Sequence, residues 1–304
     1  MIFKYILILI LVILSILLFI AYNLYNLGLN PHASKEGIFS SNGNKELRSE
    51  DTWLKENSNK KSIYINSFDN LKLHGYVVKN DNSKKWAICV HGYTNKCTHM
   101  SSIAYHYNQM GYNILTPDLR GHGKSQGDYI GMGWHDRIDM LRWIDHILKI
   151  DKDAEIILHG ISMGASTVMM VSGEELPHNV KAIIEDCGYT DAKEQFSYRV
   201  KAMYRIPSFP ILNICSLISK LKANYYIKEA SAIEQVKKSK TPILFIHGNK
   251  DKFVPLYMLD KLYNACNSPK EKLIINDADH AKCERVNSDL YWSTVDRFIN
   301  NYLN

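Results

Sequence analysis

A serine stands between two glycines in Gly160-Ile161-Ser162-Met163-Gly164. An apolar run precedes it (154–158) and another follows it (165–171). The first reads as a short buried strand and the second as a buried helix. The pentapeptide between them is then a strand-to-helix elbow, whose flanks admit no side chain without a clash. Such a turn drives the serine outward, with its hydroxyl at the helix N-terminus. A serine becomes nucleophilic only with a base beside it, and the base needs a carboxylate to orient it. Candidates follow the last two strand-like runs, Asp251 after 243–246 and His280 after 273–275. Asp186, which follows the run 180–184, is a second candidate for the carboxylate.

These groups need a frame. Runs at 62–65 and 71–78 flank the turn signal Asp69-Asn70 and read as a hairpin. Further runs at 86–90, 112–116, 154–158, 180–184, 242–246 and 272–275 alternate with helical stretches. The clearest helix is 135–149, with Ile138, Leu141, Ile144 and Leu148 on one face. This alternation predicts a mostly parallel sheet with helices on both faces. Its ligand crevice lies at the carboxyl ends of the strands, where His91, Asp118, Ser162, Asp186 and Asp251 fall.

One connection breaks the rhythm. No strand pattern lies between Asp186 and Thr241, which predicts a helical cap over about 188–240. Residues 190–240 hold 10 Lys/Arg and 4 Asp/Glu, so their surplus of +6 (10 − 4) equals the formal charge of the whole chain. A solvated basic face accounts for that surplus, and so does a cap leaning on an anionic membrane.

Residues 5–22 carry no charge and are long enough as a helix, about 27 Å, to approach the thickness of a bilayer core. The run exceeds the apolar region of a signal peptide and no small-residue cleavage site follows, so it reads as an anchor. The expected organisation is an anchor at 1–22, a stalk at 23–61 with a short amphipathic helix over 44–56, and a catalytic domain at 62–304. Lys4 precedes the run and the next charge after it is Lys35. The positive-inside rule then predicts a single-pass protein of the cell membrane with an extracytoplasmic domain. Every candidate catalytic residue lies beyond Ser62, so a fragment lacking about the first 30 residues is expected to be soluble and active.

Other chemistries find no support. Gly123-Lys124-Ser125 lacks the glycine of a phosphate-binding loop five positions earlier, where Asp118 stands. The spacing of Gly121, Gly123 and Gly127 does not fit the dinucleotide fingerprint. The six cysteines suggest neither a disulfide framework nor a zinc site, and the basic segment carries no nucleic-acid motif. No metal or cofactor is expected.

Six stretches together extend the pattern: VHGYTN (90–95), PDLRGHGKSQG (117–127), HGISMGAS (159–166), IEDCGYTD (184–191), FIHGNKDKFVP (245–255) and DADHA (277–281). In this order the chain resembles an α/β-hydrolase of the serine-aminopeptidase-like, lysophospholipase-like branch, of the membrane-anchored bacterial type. The resemblance implies an eight-stranded, mostly parallel sheet with a helical cap. It makes Ser162 the nucleophile, Asp251 the triad acid and His280 the base, with the backbone N–H groups of Tyr93 and Met163 as the oxyanion hole. The chain has Ile161 where many relatives carry histidine, and Ala165 where many carry glycine, which touches elbow packing and not the triad. The implied activity is hydrolysis of a small-molecule or lipid ester. Two alternatives stand beside it: a catalytically silent binding module, and an aminopeptidase-like amide hydrolase with Glu194, Glu229 or Glu234 holding the substrate amine.

Overall fold

The computed structural model describes residues 1–35 and 47–303. It opens with helix α1 (Ile2–Leu29) and α2 (Ser49–Glu56), followed by β1 (Lys61–Asn66), β2 (Lys72–Val78) and β3 (Lys85–Val90). Next come α3 (Ser101–Gln109), β4 (Asn113–Pro117), α4 (Asp136–Ile150), β5 (Glu155–Ile161), α5 (Met163–Val171) and β6 (Val180–Asp186). The cap holds α6 (Ala192–Tyr204), α7 (Ile211–Ala223) and α8 (Ala232–Val236). The chain closes with β7 (Ile243–Gly248), α9 (Tyr257–Ala265), β8 (Lys270–Ile275), α10 (Cys283–Val286) and α11 (Ser288–Asn300).

The eight strands form one sheet in the order β1-β2-β4-β3-β5-β6-β7-β8. Only the pairs β1–β2 and β2–β4 are antiparallel; β4 to β8 pair in parallel. This is an α/β-hydrolase fold. The central strands read as unbroken apolar runs because both of their faces are covered. Alternation then sorts each strand between two cores. In β3, Trp86, Ile88 and Val90 join the layer under α4, α5 and α9, while Ala87 and Cys89 join the layer under α2, α3 and α11.

Helix α1 changes character along its length. Among the described residues it is the one helix long and apolar enough to cross a membrane, with a mean hydropathy of 3.1 over its most apolar window. From Ile2 to Phe19 most of its side chains are exposed. Beyond that, Ala21, Tyr25 and Leu29 are buried at a spacing of four, a single stripe on one helix face. The stripe packs on α7, where the Cys215 thiol donates to the Ala21 carbonyl at 3.2 Å. The Ile130 N–H donates to the Leu29 carbonyl at 2.8 Å, and the Lys222 ammonium lies over the rings of Tyr22 and Tyr25. Residues 23–29, expected in a stalk, are therefore docked helix. Asn23 and Asn26 made the segment look like linker, but the Asn23 amide donates back to the Phe19 carbonyl within the helix.

The second part of the expected stalk is docked as well. Leu54 of α2 is buried, its N–H donating to Ser101 Oγ, and Arg48 pairs with Glu284 at 2.7 Å. The expected helix over 44–56 is described from Ser49 to Glu56; residues 44–46 lie outside the described residues.

Candidate active site

Between β5 and α5, Ser162 takes a backbone conformation that L-residues rarely adopt (φ 56°, ψ −116°). The surroundings enforce it. A Cβ on Gly160 would lie 2.2 Å from the Gly164 carbonyl oxygen, and one on Gly164 would lie 2.1 Å from that of Val90. Neither position admits a side chain. Two backbone bonds hold the serine: its N–H donates to the Asp186 carbonyl, and its carbonyl accepts from the Ser166 N–H. Strain of this kind persists only where the surroundings fix it, and it is common at functional sites. Ala165 is fully buried beneath the elbow, and Ile161 packs against the second core layer.

The structure brings Ser162, His280 and Asp251 into one chain of hydrogen bonds. His280 Nε2 lies 2.8 Å from Ser162 Oγ, and His280 Nδ1 lies 2.7 Å from Asp251 Oδ2. Asp251 Oδ1 accepts the N–H groups of Phe253 and Val254 at 2.8 and 2.9 Å. Burial works to raise the Asp251 pKa, yet the bonds from His247 and His280 hold its carboxyl well below the usual range. An ionised Asp251 places the imidazole proton on Nδ1, which leaves the Nε2 lone pair facing the serine hydroxyl.

His247, on β7, donates to the Val254 carbonyl at 2.9 Å, and its Nε2 also stands 3.3 Å from Asp251 Oδ2. Burial opposes the charge of His247, and Asp251 outweighs burial, so the His247 pKa ends above its ordinary value. The rival carboxylate, Asp186, is engaged elsewhere. Its Oδ2 accepts the Tyr291 hydroxyl at 3.1 Å, and burial pushes its pKa up to about 6.

The remaining strand-end groups order loops. His91 Nδ1 donates to the Gly92 carbonyl while its Nε2 accepts the Leu119 N–H, and burial lowers its pKa to about 3. His159 lies between the hydroxyls of Tyr107 and Tyr291. His122 packs edge-on to His91. Asp118 accepts the N–H groups of Cys97 and Lys124 and a bond from His74. Asp279 accepts the His280 N–H.

The two expected oxyanion donors lie beside the serine. Met163 opens α5, so its N–H has no carbonyl one turn earlier to bond. A Cβ on Gly92 would stand 3.3 Å from Ser162 Cβ, so the loop carrying Tyr93 runs against the elbow. The Tyr93 side chain does something the sequence did not suggest. Its part-buried hydroxyl shares its one proton between the carbonyls of Gly28 and Leu27, at 2.8 and 3.1 Å, at the end of α1.

From Ser162 an apolar pocket opens. Phe196, Val200 and Met203 of α6 and Leu212 of α7 form one side, with Met132 and Tyr189 near the elbow. The opposite side comes from α1: Leu24, Tyr25, Leu27, Gly28 and Leu29. Among the described residues the one charged side chain in the lining is Arg199, packed 4.3 Å over the Phe253 ring. A fragment lacking the first 30 residues loses the part of the pocket lining that α1 supplies. The polar strand-end residues announced the serine; nothing polar announced this wall. Its available signals were Gly28 inside an apolar helix and the four-residue spacing of Ala21, Tyr25 and Leu29.

The fold and the elbow define a class, and comparison with known proteins agrees with it. The family model described as "Serine aminopeptidase, S33" matches residues 81–229. The Bacillus subtilis protein YqkD, named as uncharacterized, is 30% identical over 247 residues, covering 81% of each chain. The chain belongs to the α/β-hydrolase superfamily, in its serine-aminopeptidase-like branch. A Saccharomyces cerevisiae protein named as an uncharacterized membrane protein, YNL320W, is 23% identical over 240 residues and 76% of each chain. Among solved structures, the Pyrococcus furiosus esterase Pf2001 matches 81% of this chain and 93% of its own, with a TM-score of 0.66 and 24% identity.

Proposed function

We propose that the protein is a membrane-anchored serine hydrolase that cleaves carboxylic esters. The observation that carries this reading is the unbroken Ser162–His280–Asp251 hydrogen-bond chain at the base of an apolar pocket. Ser162 Oγ attacks the ester carbonyl carbon as its proton passes to His280 Nε2, while Asp251 stabilises the resulting imidazolium. The carbonyl oxygen becomes an oxyanion held by the N–H groups of Tyr93 and Met163. Collapse breaks the ester C–O bond, and His280 returns the proton to the departing alcohol. Water then repeats the cycle on the acyl-enzyme: His280 takes a proton from it, the acid leaves, and Ser162 recovers its hydroxyl.

An ester is favoured over a peptide amine because, among the described residues, the pocket lining offers no anion to hold an ammonium. Among the described residues, Glu194 pairs with Lys261 and accepts from Thr190, Glu234 pairs with Lys237, and Glu229 accepts the Tyr226 N–H. None of the three lines the pocket. A silent binding module would have no use for the strained elbow or for the hydrogen-bonded triad. The anchor is α1, and Lys4 on its N-terminal side favours an extracytoplasmic catalytic domain. The YNL320W name, with its membrane assignment, and the esterase name of Pf2001 support the same reading.

The test uses the full-length protein in detergent micelles. A fluorophosphonate probe should label the wild type and spare Ser162→Ala, and hydrolysis of p-nitrophenyl butyrate should fall by about 10⁴-fold or more. Activity above a few per cent in Ser162→Ala would move the nucleophile elsewhere. An unlabelled, folded wild type would leave the silent module.

A further inference from the structure

The geometry points to the last two turns of α1 as the element that measures the substrate's acyl chain, the substrate being a single-chain, long-chain ester drawn from the bilayer along that helix. This rests on the esterase reading for the chemistry, but the wall itself is a matter of structure. Leu24, Leu27 and Gly28 face the pocket from the same helix that exposes apolar side chains from Ile2 to Phe19. The helix thus carries apolar surface both outside the pocket, from Ile2 to Phe19, and inside it, where Ser162 is part of the same lining. The cap exposes apolar side chains as well. Phe209 is 70% exposed and Leu221 78%, with Leu217 one turn before Leu221 on α7, the helix that packs on α1. A water-soluble substrate has no need of such a face, whereas an amphiphile that keeps its head group at the interface does.

The end of α1 is held where it can act as a gauge. The Tyr93 hydroxyl fixes the Leu27 and Gly28 carbonyls, and the Lys35 ammonium donates to the carbonyls of Asn26 and Leu27. Burial lowers the Lys35 pKa to about 8. Gly28 faces the Phe196 ring of α6. A Cβ there would stand 3.5 Å from the Phe196 ring, so a longer side chain closes the gap between α1 and α6.

The experiment compares wild type, Gly28→Leu and Leu24→Trp as full-length proteins in micelles, with a thermal melt of each to confirm folding. The kcat/KM ratio of p-nitrophenyl dodecanoate to p-nitrophenyl acetate is expected to fall about tenfold in each variant, as exclusion of two methylenes implies. Binding of dodecanoic acid to the same variants in a Ser162→Ala background is expected to weaken by a similar factor. An unchanged ratio with unchanged binding in both folded variants would overturn the gauge. If the wild type proves inert to both esters, the esterase reading fails on its own, and the binding measurement still decides the wall: weakened binding upholds it and unchanged binding overturns it.

Discussion

The pocket has two ends made in opposite ways. At one end Ser162, His280 and Asp251 sit on loops after β5, β8 and β7, each held by directional hydrogen bonds. At the other end Leu24, Leu27 and Gly28 belong to one continuous helix and contribute surface alone. The first end needs particular atoms at particular distances, so few residue types serve there. The second needs apolar bulk of the right shape, which many sequences supply. Chemistry is therefore concentrated in residues that a reader of the sequence can name, and selectivity in residues that look like ordinary membrane helix.

The sharpest contrast comes from the carboxylates. Asp251→Asn should lower kcat by about 10⁴-fold on short and long esters alike, because an amide favours the wrong imidazole tautomer. Asp186→Asn should have a far smaller effect, since Asp186 bonds Tyr291 and not His280. Steady-state rates on p-nitrophenyl butyrate and dodecanoate decide it, and a larger loss in Asp186→Asn would exchange their roles.

Next in size is removal of residues 1–30. The fragment loses Tyr25 and Leu29, buried side chains contributing about 1.5–3 kcal/mol each, which is a large share of a typical domain's stability. It is expected to aggregate or melt well below the full-length protein, and to lose activity on every ester. A monodisperse, active fragment with the wild-type chain-length profile would show that the α1 end is only a tether. The companion chain, in which residues 2–19 are exchanged for an unrelated apolar helix, should keep the profile.

The smallest effect joins the two ends. Tyr93→Phe removes the hydroxyl that ties the oxyanion loop to α1, a neutral hydrogen bond whose net contribution is about 1 kcal/mol. A fall in kcat of a few fold at all chain lengths, with little change in KM, is expected from kinetics on the ester series. A change confined to the long esters would place Tyr93 in chain recognition instead of in coupling.

The amino-acid sequence determined what is local and what is directional. Elbow glycines flanking a serine, apolar runs of strand length and polar residues at their ends follow from backbone sterics and burial, so the eight strands and the neighbourhoods of Ser162, Asp251 and His280 were legible. The cap was legible as a long connection without a strand. Three things waited for the tertiary structure. The resemblance favoured Asp251 over Asp186, but the bond that distinguishes them, from His280, 29 residues further on in the chain, exists only in the folded protein. His247 became a second partner of the same carboxylate only through that arrangement. The role of α1 stayed hidden because its docked stripe, Ala21, Tyr25 and Leu29, differs from the preceding lipid-length run only in what it touches. Apolar contact is non-directional and leaves no motif, so a helix that spans and a helix that also walls a pocket read alike until the chain is folded.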